Sequence, residues 1–250
     1  MDVIYEKQYH QLEEDNWWFV ARRDIVYHLF RELKLGKDKT ILEIGCSGGP
    51  LMKELIANGY SQVYGMDISE KGISLAKSRG LNNVFVMDGT NPDFAPQSFD
   101  VIIASDVLEH IKDTKTALKN WYTLLKPGGQ VIVFVPAFNF LWSQHDVINH
   151  HFQRYTEKKL IDDLKAAGFV IRRSSYWNIA LFVPTYLFRL FQKIFGSVDG
   201  KTTEGKGQLV KMPHLLNQLL VQYIKLENKY LTYYKSPFGV SVFAIAYRGK

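Results

Sequence analysis

Between residues 40 and 176 the chain alternates short apolar, strand-type runs with amphipathic helical stretches. The strand-type runs fall at 40–44, 62–66, 83–87, 99–104, 130–135 and 169–176. Helices are expected over 51–58, 70–79 and 113–125, with a further helix capped by Thr156 and ending near Gly168. A strand that feeds a helix and then another strand is carried back across the sheet, so successive strands pair in parallel. Helices then cover both faces, and each strand is buried on both sides as a continuous run rather than an alternating one. This order predicts an α/β, doubly wound, mostly parallel sheet. Its punctuation agrees, with Pro50 opening a helix that Gly59 closes and Pro127-Gly128-Gly129 turning into the fifth strand.

The 250 residues suffice for one large α/β domain, and 46% hydrophobic residues suffice for its core. A net charge of +6 is too small and too dispersed to argue for nucleic acid, and no nucleic-acid partner is expected. Cys46 is the one cysteine, so an intrachain disulfide is excluded and a reducing compartment is the natural reading. The acidic segment 1–16 has no apolar core of the secretory kind, so the expected location is cytoplasmic. Residues 2–34 read as helical.

Ligands of open α/β sheets bind beyond the carboxyl ends of the strands. Gly45-Cys46-Ser47-Gly48-Gly49 follows the first strand, Asp67 ends the second and Asp88 the third. Glycines let a backbone turn tightly against a ligand. Asp67 is placed to accept both hydroxyls of an adenosine ribose, and Asp88 to accept from an adenine amino group. A dinucleotide would need a glycine where Ser47 stands and a small residue where Pro50 stands, with room for a pyrophosphate at the helix N-terminus. Glu43 beside the loop opposes a pyrophosphate but is compatible with a cationic, phosphate-free ligand. Singly, the glycines could serve packing, Asp67 could cap a helix and Asp88 could be a turn residue.

Leu42-Glu43-Ile44-Gly45-Cys46-Ser47-Gly48-Gly49 resembles the cofactor loop of the class I S-adenosylmethionine (SAM)-dependent methyltransferases, with Ser47 replacing the middle glycine and Gly48 as a partial compensation. Met66-Asp67-Ile68-Ser69 resembles their ribose motif and Met87-Asp88-Gly89 their adenine motif. Ser98-Phe99-Asp100-Val101-Ile102 with Ser105-Asp106-Val107-Leu108-Glu109-His110 resembles the fourth-strand motif, and Leu125-Lys126-Pro127-Gly128-Gly129 the turn before strand five. The resemblance implies a Rossmann-like, seven-stranded sheet whose last strand, 241–247, is antiparallel. It implies SAM as cofactor. Glu43, Gly45, Cys46, Ser47 and Gly49 would surround its methionine end, Asp67 its ribose, and Ile68, Met87, Asp88 and Gly89 its adenine, with Ser105 at the fourth strand. Asp100 and His110 read as structural. Arg22 or Arg23 would reach the SAM carboxylate if the N-terminal helices fold over the cofactor.

The segment after strand five reads Leu141-Trp142-Ser143-Gln144-His145-Asp146, then His150-His151-Phe152-Gln153-Arg154-Tyr155-Thr156. Loops at this face carry substrate chemistry. The segment is similar to that of a methyltransferase subset associated with cell-envelope and glycan modification. So are Trp17-Trp18-Phe19 with Arg22-Arg23, and Ser236-Pro237-Phe238-Gly239. Methyl transfer needs in-line positioning and a group to take the acceptor's proton, a task that suits histidine. His145 oriented by Asp146, or His151, are the catalytic candidates, against a purely structural role of equal weight. Arg154, Tyr155 and Trp142 are the candidate acceptor contacts, Arg154 for an anionic group. The spacing of His145, Asp146, His150 and His151 matches no standard metal set, and no metal is expected.

The expected organisation is a helical cap (1–36), a cofactor core (37–176), a helical insertion (177–237) and a final strand (238–250). In the insertion, residues 178–195 are apolar except for a stripe of Thr185, Arg189, Gln192 and Lys193. Leu216, Leu219, Leu220, Tyr223 and Ile224 share one face of a second helix over 214–231. Residues 172–211 hold seven Lys/Arg against two acidic residues. Both ends of the insertion fall at the acceptor face, so it forms a wall or lid. Packing of its apolar face on the domain is the favoured reading, ahead of peripheral contact of 178–195 with the inner face of a membrane. The run is too short to cross one. The function expected is methyl transfer, O-directed by preference, to a small-molecule, saccharide or lipid-linked acceptor. The alternatives are a SAM-fold binding protein without catalysis and, third, an NAD- or nucleotide-sugar-dependent enzyme.

Overall fold

The computed structural model describes residues 9–195 and 212–249. The expectations for 2–8 and for the loop at 196–211 lie outside the described residues. Seven strands form one sheet: β1 (Thr40–Ile44), β2 (Gln62–Asp67), β3 (Val84–Val86), β4 (Phe99–Ser105), β5 (Leu125–Pro136), β6 (Phe169–Trp177) and β7 (Ser241–Arg248). Their order is β3-β2-β1-β4-β5-β7-β6. The pairs β1–β2, β1–β4, β2–β3 and β4–β5 are parallel, and β7 runs antiparallel between β5 and β6. The order reverses at β1 and β4, where the carboxyl ends diverge into a crevice.

Side chains alternate across each strand, so two cores result. Ile41, Val101, Ile103, Ile132, Phe134, Phe243 and Ile245 point to one face. There they meet α1 (Trp17–Glu32), α2 (Pro50–Ala57), α3 (Glu70–Ser78) and α8 (His214–Tyr233). Leu42, Ile102, Ala104, Val131, Val133 and Ala244 point to the other face. These meet α4 (Thr114–Leu124) and α6 (Glu157–Ala166), with Trp121 fully buried between. Burying each large apolar side chain contributes ~1.5–3 kcal/mol, which fixes the sheet between its layers.

The helix expected over 2–34 is broken. A helical turn at 9–12 ends at Glu13, and α1 begins afresh at Trp17, its N-terminus capped by Asn16 through Trp18 N–H (3.0 Å). The break lets the Glu13 side chain leave the helix and reach the glycine loop. The segment after β5 also holds more structure than a connecting loop. Ser143 and Asp146 form a capping box that starts the short helix α5 (Gln144–Ile148).

The insertion departs most from expectation. In α7 (Phe182–Phe195) Thr185, Arg189 and Gln192 are half-buried, whereas Val183, Leu187, Phe188, Leu190, Phe191 and Ile194 are exposed. The polar stripe faces the protein and the apolar face looks outward, which reverses the favoured reading. Phe182 and Tyr186 hold the helix against Phe138 and Phe140 after β5. In α8, Leu216, Leu219 and Tyr223 are likewise exposed, and burial falls on Ile224, Glu227, Asn228 and Leu231. The reason is hydrogen bonding. Asn228 accepts from Trp177 Nε1 (2.7 Å) and donates to the Ala21 carbonyl, and Glu227 accepts from Ile179 N–H. These polar groups find partners on α1 and at the end of β6, so they take the buried face. No helix among the described residues is long and apolar enough to cross a membrane.

Candidate active site

The crevice between β1 and β4 opens into a cavity of about 580 Å³, a size suited to a nucleoside-bearing ligand. Its wall takes residues from the ends of four strands: Gly45 and Ser47, Asp67 and Ile68, Met87 to Gly89, and Ser105 to Val107. Eight of the sequence-expected cofactor residues thus converge: Gly45, Ser47, Asp67, Ile68, Met87, Asp88, Gly89 and Ser105.

The glycine loop is held by specific bonds. Gly45 N–H and Cys46 N–H both donate to the Met66 carbonyl (2.8 and 3.0 Å), which locks the turn onto β2. Gly45 has φ +77°, and a Cβ there would meet Val107 Cγ2 at 2.4 Å, so only glycine fits. Ser47, the residue in place of the middle glycine, itself adopts φ +49°. Left-handed backbone costs a side-chain-bearing residue ~1–2 kcal/mol. Here Ser47 N–H donates to Asp67 Oδ2 (2.9 Å) and its hydroxyl to Glu13 Oε2 (2.8 Å), which offsets that cost. The loop therefore keeps its shape through Ser47 itself, and Gly48 does not compensate. Gly48 serves packing instead, since a Cβ would strike Glu13 and Arg79.

Asp67 bridges two backbone donors, Ser47 N–H and Ser69 N–H (2.8 Å). The same carboxylate lines the cavity, and a carboxylate can accept from several donors at once, ligand hydroxyls among them. Ile68 is 74% exposed at the rim, an apolar surface ready to meet a flat ring. Asp88 accepts from Thr90 N–H (2.8 Å) and is otherwise open to solvent. Glu43, Cys46 and Gly49 do not line the cavity. Glu43 is buried beneath the loop, where desolvation pushes its carboxyl well above the usual carboxylate range. Cys46 is buried with its thiol raised by desolvation, and Gly49 starts α2 with φ +79° against Leu81. This donor set fits SAM: acceptors for a ribose, an apolar rim for adenine, and acidic surroundings with no phosphate-binding pattern.

Sequence reasoning missed the lid over the loop. Tyr9 and His10 line the cavity. Glu13 clamps Ser47, is bonded by Arg79 (2.7 Å) and lies 3.5 Å from His10. Burial alone would raise the Glu13 pKa, but hydrogen bonds to His10, Arg79 and Ser47 outweigh it and lower the value. The arginines expected to reach SAM do other work. The Arg22 guanidinium stacks between Trp177 (4.2 Å) and Phe134 (4.3 Å) and holds Asp106 (3.1 Å), which lines the cavity with φ +56°. Arg23 bonds Glu54 and the Glu13 and Glu14 carbonyls. Only the carbonyl contacts of Arg23 touch the lid.

At the acceptor end, His110, Asn149, His150 and Phe152 line the cavity. Asp146 orients His151, not its neighbour His145: His151 Nδ1 lies 2.9 Å from Asp146 Oδ1. Arg154 donates to the same carboxylate through Nε (2.7 Å) and Nη2 (3.0 Å), and to the Ala137 carbonyl (3.1 Å). Desolvation opposes the Asp146 charge, but His151 and Arg154 outweigh it and hold its pKa far below the usual range. The His151 ring meets His110 edge to face at 4.6 Å. Burial and the neighbouring His151 lower the His110 pKa to about 3, and burial lowers that of His145 to about 4. Tyr155 is fully buried and accepts from Gln153, and Trp142 and Arg154 also stand outside the cavity wall. The contact to His110 was not legible in sequence, because residues 110 and 151 approach only when β4 and β5 pair.

Residues 20–174 match the family model described as a methyltransferase domain. The chain is 30% identical over 138 residues to the ubiquinone biosynthesis O-methyltransferase of Coxiella burnetii, covering 50% of this chain and 58% of that protein. It is 35% identical over 99 residues to the corresponding protein of Idiomarina loihiensis, covering 37% and 40%. The chain spans about half the length of the curated relatives it matches. Among solved structures, a Haemonchus contortus phosphoethanolamine N-methyltransferase 2 with S-adenosylhomocysteine superposes with a TM-score of 0.59 at 20% identity, covering 90% of this chain and 52% of that one. A SAM-dependent methyltransferase of Thermotoga maritima, described as a possible histamine N-methyltransferase, superposes with a TM-score of 0.58 at 19% identity over 99% and 100% of the two chains. The sheet order, the cavity at its switch point and the family match over 20–174 agree, and the chain belongs to the class I SAM-dependent methyltransferases.

Proposed function

We propose that this chain transfers the methyl group of SAM to a hydroxyl of a small, apolar-tailed acceptor. The observation that carries the reading is one cavity with two chemically distinct ends. Its Asp67–Ile68–Asp88 end suits adenosine, with Gly45, Ser47 and Ser105 toward the methionine end. Glu43, Cys46 and Gly49 support that loop from beneath rather than touching the ligand. Its other end is bordered by His110, with the Asp146–His151 pair behind it: the His151 ring meets that of His110 at 4.6 Å and does not itself line the cavity. SAM supplies an activated carbon–sulfur bond, so the protein's tasks are alignment and disposal of the acceptor proton. We assign the second task to His151, whose Nδ1 is tied to Asp146 and whose ring packs on His110 of the cavity wall. His145 packs edge-on at 6.1 Å from that ring and Arg154 fixes the carboxylate. O-direction is favoured by the two relatives named as O-methyltransferases. The test is His151→Ala assayed by S-adenosylhomocysteine release, with SAM affinity measured in parallel. Turnover is expected to fall ~10²–10⁴-fold with affinity within about threefold. Undiminished turnover would remove His151 from the machinery.

The outward apolar face of α7 favours a lipid-linked acceptor met at the membrane surface. At 14 residues α7 is ~21 Å long, enough to lie in the interface but not to span it. The basic sequence at 172–211 suits an anionic leaflet. Co-sedimentation with vesicles is expected to need anionic lipid and to weaken in Leu187→Ser/Phe188→Ser. Absence of binding at low salt would remove the membrane contact while leaving the methyltransferase reading intact.

A further inference from the structure

Three donors stand together at the acceptor end without a shared hydrogen bond. They are a Glu109 carboxylate oxygen and one ring nitrogen each of His110 and His151, all within 4.8 Å of one another. We propose that Glu109, His110 and His151 bind a divalent transition-metal ion of the zinc class, whose open position takes the acceptor hydroxyl. The inference rests on the methyltransferase reading and gives His151 the role of holding the ion that acidifies the hydroxyl, in place of taking the proton itself.

Four observations support it. First, Glu109 is 1% exposed, and its Oε2 is a buried oxygen with no hydrogen-bond partner. Buried carboxylate oxygens are normally satisfied, so an orphan beside two imidazoles calls for a cation. Second, the nearby guanidiniums bond other carboxylates, Arg154 through Nε and Nη2 to Asp146 and Arg22 through Nη2 to Asp106. Third, His151 carries the kind of outer partner that metal-bound histidines have, held at Nδ1 by Asp146. Such a partner orients a ring so that its other nitrogen faces the metal. Fourth, the two segments are tied, because Phe152 N–H donates to the Glu109 carbonyl (2.8 Å). Two histidines and one glutamate form a three-ligand zinc set that leaves a fourth position open. Donors at ~2.0–2.1 Å from an ion stand about 3.4 Å apart, so side-chain rotations of roughly 1 Å close the site. Of the three ligands His110 lines the cavity, and the open position is placed on that side. The three ligands come from two segments, so their linear spacing hid them.

The chemistry balances without a further reactant. Coordination lowers the hydroxyl pKa, and its proton leaves to solvent through the open cavity. The oxygen then forms the O–CH3 bond as the S–CH3 bond breaks, and that electron pair stays on sulfur as the neutral thioether of S-adenosylhomocysteine.

The experiment uses the full chain without a histidine tag, stripped with chelator and titrated with Co2+ and then Zn2+. One equivalent of Co2+ is expected to give visible absorption bands that Zn2+ abolishes, and turnover is expected to return with the ion. Glu109→Gln and His110→Ala should weaken Co2+ binding by more than ~100-fold, and Asp146→Asn by ~10–100-fold. SAM affinity and the circular dichroism spectrum control for folding in each variant. Featureless Co2+ spectra, affinity unchanged in both ligand variants, or full turnover in the stripped protein would each overturn the proposal. If the stripped protein also failed to bind SAM, the methyltransferase reading would fall with it. If SAM binds and the ion does not, only the metal site falls.

Discussion

Asp67→Ala separates the ligand-binding role of this carboxylate from its structural one. Asp67 accepts backbone N–H bonds from Ser47 and Ser69 and lines the cavity, where a ribose would offer it two hydroxyls. Each hydrogen bond from a ribose hydroxyl to a charged acceptor is worth ~1.5–3 kcal/mol. Two such bonds give ~3–6 kcal/mol, or about 10²–10⁴-fold in Kd. The loop also loses two acceptors at a partly solvated site, at ~1 kcal/mol each, for a Tm fall on the order of 4–8 °C. That is a fraction of a typical 5–15 kcal/mol stability, so the variant remains folded. Calorimetric titration with S-adenosylhomocysteine, with thermal melts alongside, measures both numbers. Asp67→Asn keeps one acceptor oxygen and should fall between. A folded Asp67→Ala binding within threefold of wild type would refute the reasoning, because the cavity would then hold adenosine without this carboxylate.

Gly45→Ala must force a Cβ against Val107 at φ +77°, at a cost of about 2–5 kcal/mol; the melt should drop by roughly 4–20 °C and SAM binding should fail at 37 °C. Ser47→Gly trades ~1–2 kcal/mol of left-handed strain against the hydroxyl bond to Glu13, so stability should stay within about 1 kcal/mol of wild type; a larger change would mean that the loop geometry is wrongly understood. Glu13 has its pKa lowered in the folded chain from the ordinary 4.5, facing His10, Arg79 and Ser47. A depressed folded pKa contributes stability above the unfolded pKa and loses it as pH falls through the folded value. The stability gap between wild type and Glu13→Gln, read from denaturant melts, should therefore be full at neutral pH and close progressively below pH 4.5; a gap that is constant with pH would exclude the ion pair.

The sheet was legible in sequence because its strands are short apolar runs ended by glycine or aspartate, and parallel crossovers leave few topologies. The cofactor end was legible for the same reason: Gly45, Asp67 and Asp88 sit at strand termini, and a terminus fixes where a residue lies. The acceptor end was not. Asp146 pairs with His151 because α5 turns the chain back on itself, which adjacency in sequence cannot reveal. Glu109 and His110 join them only through the β4–β5 pairing. The N-terminal lid was hidden because Glu13 reads as one more acid on a helix until Ser47 and Arg79 claim it. In α7 and α8 the apolar pattern misled; in α8, Asn228 and Glu227 take the buried side through hydrogen bonds.

The central claim is that adenosine is gripped at the carboxyl edge of β1, β2 and β3. A crystal structure of the chain grown with S-adenosylhomocysteine tests it most directly. The ribose hydroxyls are predicted within hydrogen-bond distance of Asp67, with the adenine against Ile68 and beside Asp88. Electron density for the ligand elsewhere, or none at saturating concentration, would contradict the account.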